Sequence, residues 1–240
     1  FASGRVPLKD KVLASTDALG KLASIPIVTQ FTNALNRAPA SRAIMEGALG
    51  VDRNAWVPSY AGATFRGRAR PSAPHPVKDG PKSTGKVAIF STCYVNYNEP
   101  GIGHDLLAIL DHNAVPYVIV EKEACCGMPK LELGDLPAVA ANKEKNIPVL
   151  AKLAREGYAI MTPIPSCTLM FKQELPLMFP EDADVQAVKA AMVDPFEYLV
   201  MRQKEGLLRT DFERPLGQVS YHIPCHSRVQ NVGQKTREAL

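Results

Sequence analysis

Five cysteines carry the chemistry this chain could do: Cys93, Cys125, Cys126, Cys167 and Cys225. Two of them are adjacent, in Ala124-Cys125-Cys126-Gly127. Neighbouring cysteines do not readily bridge each other, because a relaxed disulfide wants its Cα atoms roughly 4.4–6.8 Å apart. Two thiolates side by side can instead clamp one metal centre. Gly127 removes the side chain where the backbone must bend closely around something. An odd number of cysteines in a chain of cytosolic character argues against a disulfide framework and for metal or redox chemistry. A buried free cysteine often serves as a small apolar side chain. That reading suits any one of the five better than it suits all of them together. Thiolates select soft metals, chiefly zinc and iron–sulfur clusters. Neither the short C-x2-C pairs of a zinc site nor the closely spaced cysteines of a ferredoxin is present. The remaining spacing is long-range, so any site must be assembled from separate loops. A structural zinc at the same cysteines stays open at this point.

Histidines add a weaker signal. His222 and His226 flank Cys225 in Tyr221-His222-Ile223-Pro224-Cys225-His226 and could ligate metal or relay protons. A purely structural role is the commoner fate of such residues, and the same holds for His104. Gly101-Ile102-Gly103 lacks the third glycine of a dinucleotide fingerprint, since position 106 is Leu. Lys82-Ser83-Thr84-Gly85-Lys86 does not match a phosphate-binding loop.

The elements that must position these residues read as follows. Residues 1–55 are expected to be a helical connector: Lys9–Leu22, Pro26–Asn36 and Ala40–Leu49, the last closed by Gly50. They would pack on the main domain or offer a docking surface to a partner subunit. Residues 56–85 are rich in Pro and Gly and read as an irregular linker. Arg66, Arg68 and Arg70 in it form a solvated face or meet an acidic partner. From residue 86 to 216 strands alternate with helices. The expected strands are Val87–Phe90, Pro116–Val120, Tyr158–Met161 and Gln218–Tyr221. The expected helices include Gly103–His112, one within Leu136–Glu156 broken near Pro148, and Pro195–Lys204. This pattern predicts an α/β fold, a mainly parallel sheet with flanking helices. Every cysteine follows a predicted strand. Loops after parallel strands gather at one sheet edge, where open α/β folds place ligands. Cys93, Cys125, Cys126 and Cys167, and with less support Cys225, are therefore expected to converge.

Composition bounds the rest. The 240 residues are 46% hydrophobic and 22% charged, as in a globular protein of one large or two small domains. A net charge of +4 is too weak to argue for nucleic acid. No stretch reaches the roughly 18 apolar residues of a membrane span. The expected location is cytoplasmic. The chain opens on Phe1 rather than Met, so a processed protein or a fragment is expected.

At these residues the chain resembles the cysteine-rich, Cys-Cys-Gly domain family, which includes the B subunit of heterodisulfide reductase and the iron–sulfur subunits of anaerobic glycerol-3-phosphate and glycolate oxidation. The family pattern is a cysteine, a gap of thirty-odd residues, Cys-Cys-Gly, a second gap and a closing Cys-x-x-Cys. Here 31 residues separate Cys93 from Cys125, and Pro165-Ser166-Cys167 resembles the start of the closing pair. The second cysteine of that pair is replaced by Met170. The resemblance implies a [4Fe–4S]-type cluster, cubane or noncubane, on Cys93, Cys125, Cys126 and Cys167, with Gly127 shaping its loop. It implies a flavin-containing dehydrogenase partner, further iron–sulfur modules, and a quinone or thiol/disulfide acceptor. A link to the inner face of a membrane would follow from the quinone. Residues 217–240, with Cys225, resemble the opening of a second such domain.

Overall fold

The computed structural model describes residues 6–211, 214 and 217–240. The domain boundary expected at residue 216 lies outside them. The N-terminal helices are α1 (Leu8–Leu13), α2 (Thr16–Ala23), α3 (Pro26–Leu35), α4 (Pro39–Leu49) and the single turn α5 (Phe65–Arg68). The alternating part follows: β1 (Val87–Ile89), α6 (Cys93–Tyr97), α7 (Pro100–His112), β2 (Tyr117–Ile119), α8 (Met128–Glu132), α9 (Leu136–Arg155) and β3 (Ala159–Met161). Next come α10 (Pro165–Leu169), a π-helical turn Met170–Glu174, α11 (Leu175–Met178), α12 (Ala183–Ala191), β4 (Met192–Val193) and α13 (Pro195–Lys204). Two short helices close the chain, α14 (Cys225–Val229) and α15 (Lys235–Ala239).

The four strands form one sheet in the order β2-β1-β3-β4, with every pairing parallel. Val87 stands between Tyr117 and Ala159, and Ile89 between Ile119 and Met161. Alternation along β1 serves both faces. Val87 and Ile89 join a core with Leu106, Leu107 and Leu110 of α7 and Tyr198 of α13. Ala88 and Phe90 join the opposite core with Val139, Ile147 and Leu150 of α9 and Val185 and Val188 of α12. The chain leaves β1 in one direction to make β2 and returns across it to make β3. Order therefore reverses between β1 and β3, the crevice where ligands of open α/β sheets bind.

Three sequence expectations are corrected. The expected helix Lys9–Leu22 is two helices, separated at Ala14-Ser15. There the Ser15 hydroxyl donates to the Lys11 carbonyl at 2.7 Å, a local bond that competes with helix continuation. The Ala14 carbonyl is taken by Lys130 Nζ at 3.2 Å. Helix α9 is not broken near Pro148. Pro148 lies on its exposed side, as does Glu144, whose carbonyl loses its partner and is left to water. The flanking turns bury Val139, Ile147 and Leu150, worth about 1.5–3 kcal/mol each, against about 3 kcal/mol for the proline. Finally, Gln218–Tyr221 is not a strand but exposed chain. The fourth strand is Met192–Val193, two residues long and continuous with α12, paired to Ile160 and Met161.

The Pro/Gly-rich segment is held by α13. Tyr198 Oη donates to the Thr84 carbonyl at 2.7 Å, Arg202 Nη1 donates to the Lys78 carbonyl at 2.6 Å, and Glu205 Oε1 accepts from the Lys82 N–H at 2.6 Å. Buried Arg42 of α4 stitches the following turn, donating to the carbonyls of Asp52, Arg53 and Ala55. Among the described residues no helix is long and apolar enough to cross a membrane.

Candidate metal centre

Three strand ends deliver four cysteines. After β1 the chain turns at Thr92, whose φ of 67° and ψ of 155° lie where side chains other than glycine are strained. Buried Thr92 caps α6 by accepting from the Val95 N–H at 3.2 Å, which sets Cys93 as the first residue of that helix. After β2 comes Cys125-Cys126-Gly127. Gly127 takes φ 104°, and a Cβ there would lie 3.4 Å from Met170 Cε. After β3, Cys167 sits in α10 behind Pro165, favoured in the first turn. Cys125, Cys126 and Cys167 are buried, and Cys93 is half-buried. Asn142 and Asn146 of α9 donate to the Cys125 carbonyl at 3.0 and 3.2 Å, and Asn146 also clamps Ala124.

The thiols of Cys93 and Cys125, of Cys125 and Cys126, and of Cys126 and Cys167 lie near enough to shift one another's titration. Donation from Cys126, then from Cys93, holds the Cys125 thiol below the ordinary range, with the Gly127 N–H at 3.5 Å adding to it. Cys93 is pushed up, first as a donor to Cys125 and then by burial, and Cys126 first by Cys125, then by Cys167 and then by burial. Among the described residues no three His, Cys, Asp or Glu side chains surround a single ion-sized point. Cys93, Cys126 and Cys167 instead line one cavity, and the Thr16 hydroxyl lies between Cys93 and Cys125. Glu123, just upstream, accepts from the Ser91 N–H at 2.6 Å and the Ser91 hydroxyl at 2.7 Å, and burial pushes its carboxyl up to about 7.

Other predicted residues lie elsewhere. Cys225 is exposed at the first residue of α14, a helix that packs on α10. His222 is exposed, and His226 Nε2 lies 4.0 Å from Glu132 Oε1. His104 packs edge-on against Phe65. Arg68 and Arg70 are exposed, while the Arg66 N–H donates to Asn96 Oδ1 at 3.0 Å.

Sequence reasoning missed the contribution of the N-terminal helices. Thr16 of α2 donates from Oγ1 toward Cys93 Sγ at 3.3 Å and Cys125 Sγ at 3.6 Å. Asp17 Oδ2 accepts from the Cys125 N–H at 3.3 Å. Helices α1, α2 and α4 also wall a cavity of about 660 Å³ whose floor includes Cys93, Cys126 and Cys167. Its other walls are largely apolar, with Val12, Leu13, Leu19, Met45 and Leu49. No local pattern marks Thr16, because its partners lie 77 and 109 residues away.

Four thiols from three separate loops, a glycine-opened bend and hydrogen-bond donors aimed at sulfur form a donor set that fits an iron–sulfur cluster. The comparison with known proteins agrees: residues 87–172 match the Cysteine-rich domain family, CCG. Cys93, Cys125, Cys126 and Cys167 all fall inside the CCG match and Cys225 falls outside it. The whole chain is similar to the C subunit of anaerobic glycerol-3-phosphate dehydrogenase of Escherichia coli K12, 27% identical over 241 residues, covering 59% of that protein. It is similar to the B subunit of fumarate reductase (CoM/CoB) of Methanothermobacter marburgensis, 28% identical over 163 residues, 67% of this chain and 30% of that one. It is also similar to an iron–sulfur protein of Methanocaldococcus jannaschii, 28% identical over 157 residues, 65% of this chain and 28% of that one. The chain thus spans about three-fifths of the length of its glycerol-3-phosphate dehydrogenase relative. No solved structure matches it.

Proposed function

We propose that this chain is an electron-transfer part of an oxidoreductase complex, holding an iron–sulfur centre on Cys93, Cys125, Cys126 and Cys167. The observation that carries the reading is the meeting of four cysteines from three separate strand ends, Cys93, Cys126 and Cys167 around one cavity and Cys93 and Cys125 on either side of the Thr16 hydroxyl. When bound, the cluster supplies one-electron chemistry. The chain's own residues bind it through thiolates, shape its loop at Gly127, and aim the Gly127 N–H and the Thr16 hydroxyl at sulfur. The CCG match and iron–sulfur relatives support this. The donor in this reading is a flavin-containing dehydrogenase subunit, with further iron–sulfur modules alongside, and the acceptor a quinone or a thiol/disulfide pair. The similarity to subunits of glycerol-3-phosphate dehydrogenase and fumarate reductase supports a multi-subunit setting. We place the chain in the cytoplasm, reaching the membrane only through a quinone.

A second reading makes the centre itself the site where a disulfide is cleaved. The cavity of about 660 Å³ against Cys93, Cys126 and Cys167 favours it, because a substrate has room beside the sulfurs. Elemental analysis of protein purified without oxygen tests both. About four irons per chain, the content of one [4Fe–4S] cluster, is the expected result. Stoichiometric zinc without iron would refute both and leave a structural module. Disulfide turnover by the iron-loaded protein would select the second reading over the first.

A further inference from the structure

Helix α2 reaches the cysteines from far away in sequence and is fixed there from three sides. Asp17 Oδ2 accepts from the Cys125 N–H at 3.3 Å. Lys130 Nζ holds the carbonyl of Ala14, at the break before α2, at 3.2 Å. Gly20 lets α2 lie directly on α6, since a Cβ there would come within 2.4 Å of the Tyr97 ring. With α2 so placed, the Thr16 hydroxyl is aimed at Cys93 Sγ and Cys125 Sγ, at 3.3 and 3.6 Å. Thr16 is the first residue of α2, so no turn of that helix lies behind it to take its hydroxyl. Thr16 turns it outward to sulfur.

We infer that Thr16 is a positioning residue of the cysteine centre, whose hydroxyl, shared between the sulfurs of Cys93 and Cys125, raises the reduction potential of the cluster they hold. The inference rests on the reading of these cysteines as cluster ligands. Hydrogen bonds to ligand sulfur are among the protein's levers on cluster potential. The step is a one-electron reduction in which no bond to cysteine breaks and no proton moves; dithionite is the electron source in the test. The added charge spreads onto sulfur, so an O–H donor stabilises the reduced state more than the oxidised one. One hydroxyl carries one proton, so the two sulfurs share a single donor. Removing it lowers the potential.

The test compares Thr16→Val, which keeps the branched shape and loses the hydroxyl, with Thr16→Ser, which keeps the hydroxyl. Both are made in the full chain and purified without oxygen. Iron per chain and the midpoint potential, from an EPR-monitored titration, are read for each. The expected result is a negative shift in Thr16→Val, a potential close to wild type in Thr16→Ser, and unchanged iron in both. Iron lost from Thr16→Val but kept by Thr16→Ser supports the same dependence on the hydroxyl. Thr16→Val with full iron and an unshifted potential overturns the inference. So does an equal shift, or equal loss of iron, in both variants, since the methyl group would then be what matters. A wild-type chain that takes up no iron sinks the electron-transfer reading by itself. The role of Thr16 is then read with cobalt(II) as the probe. Its thiolate-to-metal charge-transfer band should move to lower energy in Thr16→Val and return in Thr16→Ser; identical bands in all three overturn the inference.

Discussion

Gly127→Ala isolates the bend that turns the Cys-Cys pair toward Cys167. Two effects compete at this position. A Cβ would meet Met170 Cε at 3.4 Å and Val139 Cγ1 at 3.7 Å, ordinary contact distances, so steric overlap contributes little. Backbone strain outweighs it. At φ 104° a Cβ-bearing residue is strained, and positive-φ strain costs roughly 1–3 kcal/mol. Alanine also stiffens the unfolded chain, which returns about 0.4–1 kcal/mol. The net expectation is a loss of about 1–2 kcal/mol. For a chain of this size each kcal/mol moves the melting midpoint by about 2–4 °C. Gly101→Ala is the matched control. Gly101 lies in the first turn of α7, and a Cβ there meets nothing within 4 Å. Replacing it should leave stability unchanged or raise it by up to about 1 kcal/mol. Thermal melts of the metal-free chain, followed by circular dichroism, give both values. Equal midpoints for Gly127→Ala and wild type would refute the strained bend. A drop in Gly101→Ala as large as in Gly127→Ala would show that the melt does not report local backbone strain. Because the Gly127 N–H faces Cys125 Sγ, iron loading of Gly127→Ala should fall together with its stability.

Three further outcomes are expected. Cys126→Ser, buried on the cavity lining with Cys93 and Cys167, should lose most of its iron, whereas Cys225→Ser, exposed on α14, should keep the wild-type content; full iron in Cys126→Ser would sink the ligand assignment. Hydrogen bonding from Lys143 holds Asp182 below the ordinary carboxylate range, so its stabilisation is present above about pH 4 and is lost as pH falls. Urea midpoints of Asp182→Ala should accordingly change less with acidification than those of wild type. The same variant loses the cap of α12, where Asp182 Oδ1 accepts from Asp184 and Val185, worth about 0.5–2 kcal/mol at neutral pH. Gly103→Ala should destabilise, because a Cβ would come within 2.5 Å of the buried Phe65 ring; a variant as stable as wild type would contradict that packing of α7 on α5.

The sequence by itself determined the α/β alternation, three of the four strands and the gathering of Cys93, Cys125, Cys126 and Cys167 at one edge. These follow from local patterns: short apolar runs, helices between them, and a cysteine just after each of three strands. Parallel pairing then leaves one place for the loops to meet. The open bend at Gly127 was legible for the same reason, since a glycine after two cysteines is a local backbone statement. Tertiary structure alone decided what depends on distant partners. Met192–Val193 is a strand because β3 offers an open edge beside it, not because two residues announce one. Helix α9 runs through Pro148 because both flanking turns are buried while the proline faces water. The break at Ala14-Ser15 places Thr16 on sulfurs 77 and 109 residues away. Residues 14–17 hold no pattern from which that contact could be read. It exists because Lys130, Tyr97 and the Cys125 backbone fix the position of α2, and those partners meet only once the sheet has formed.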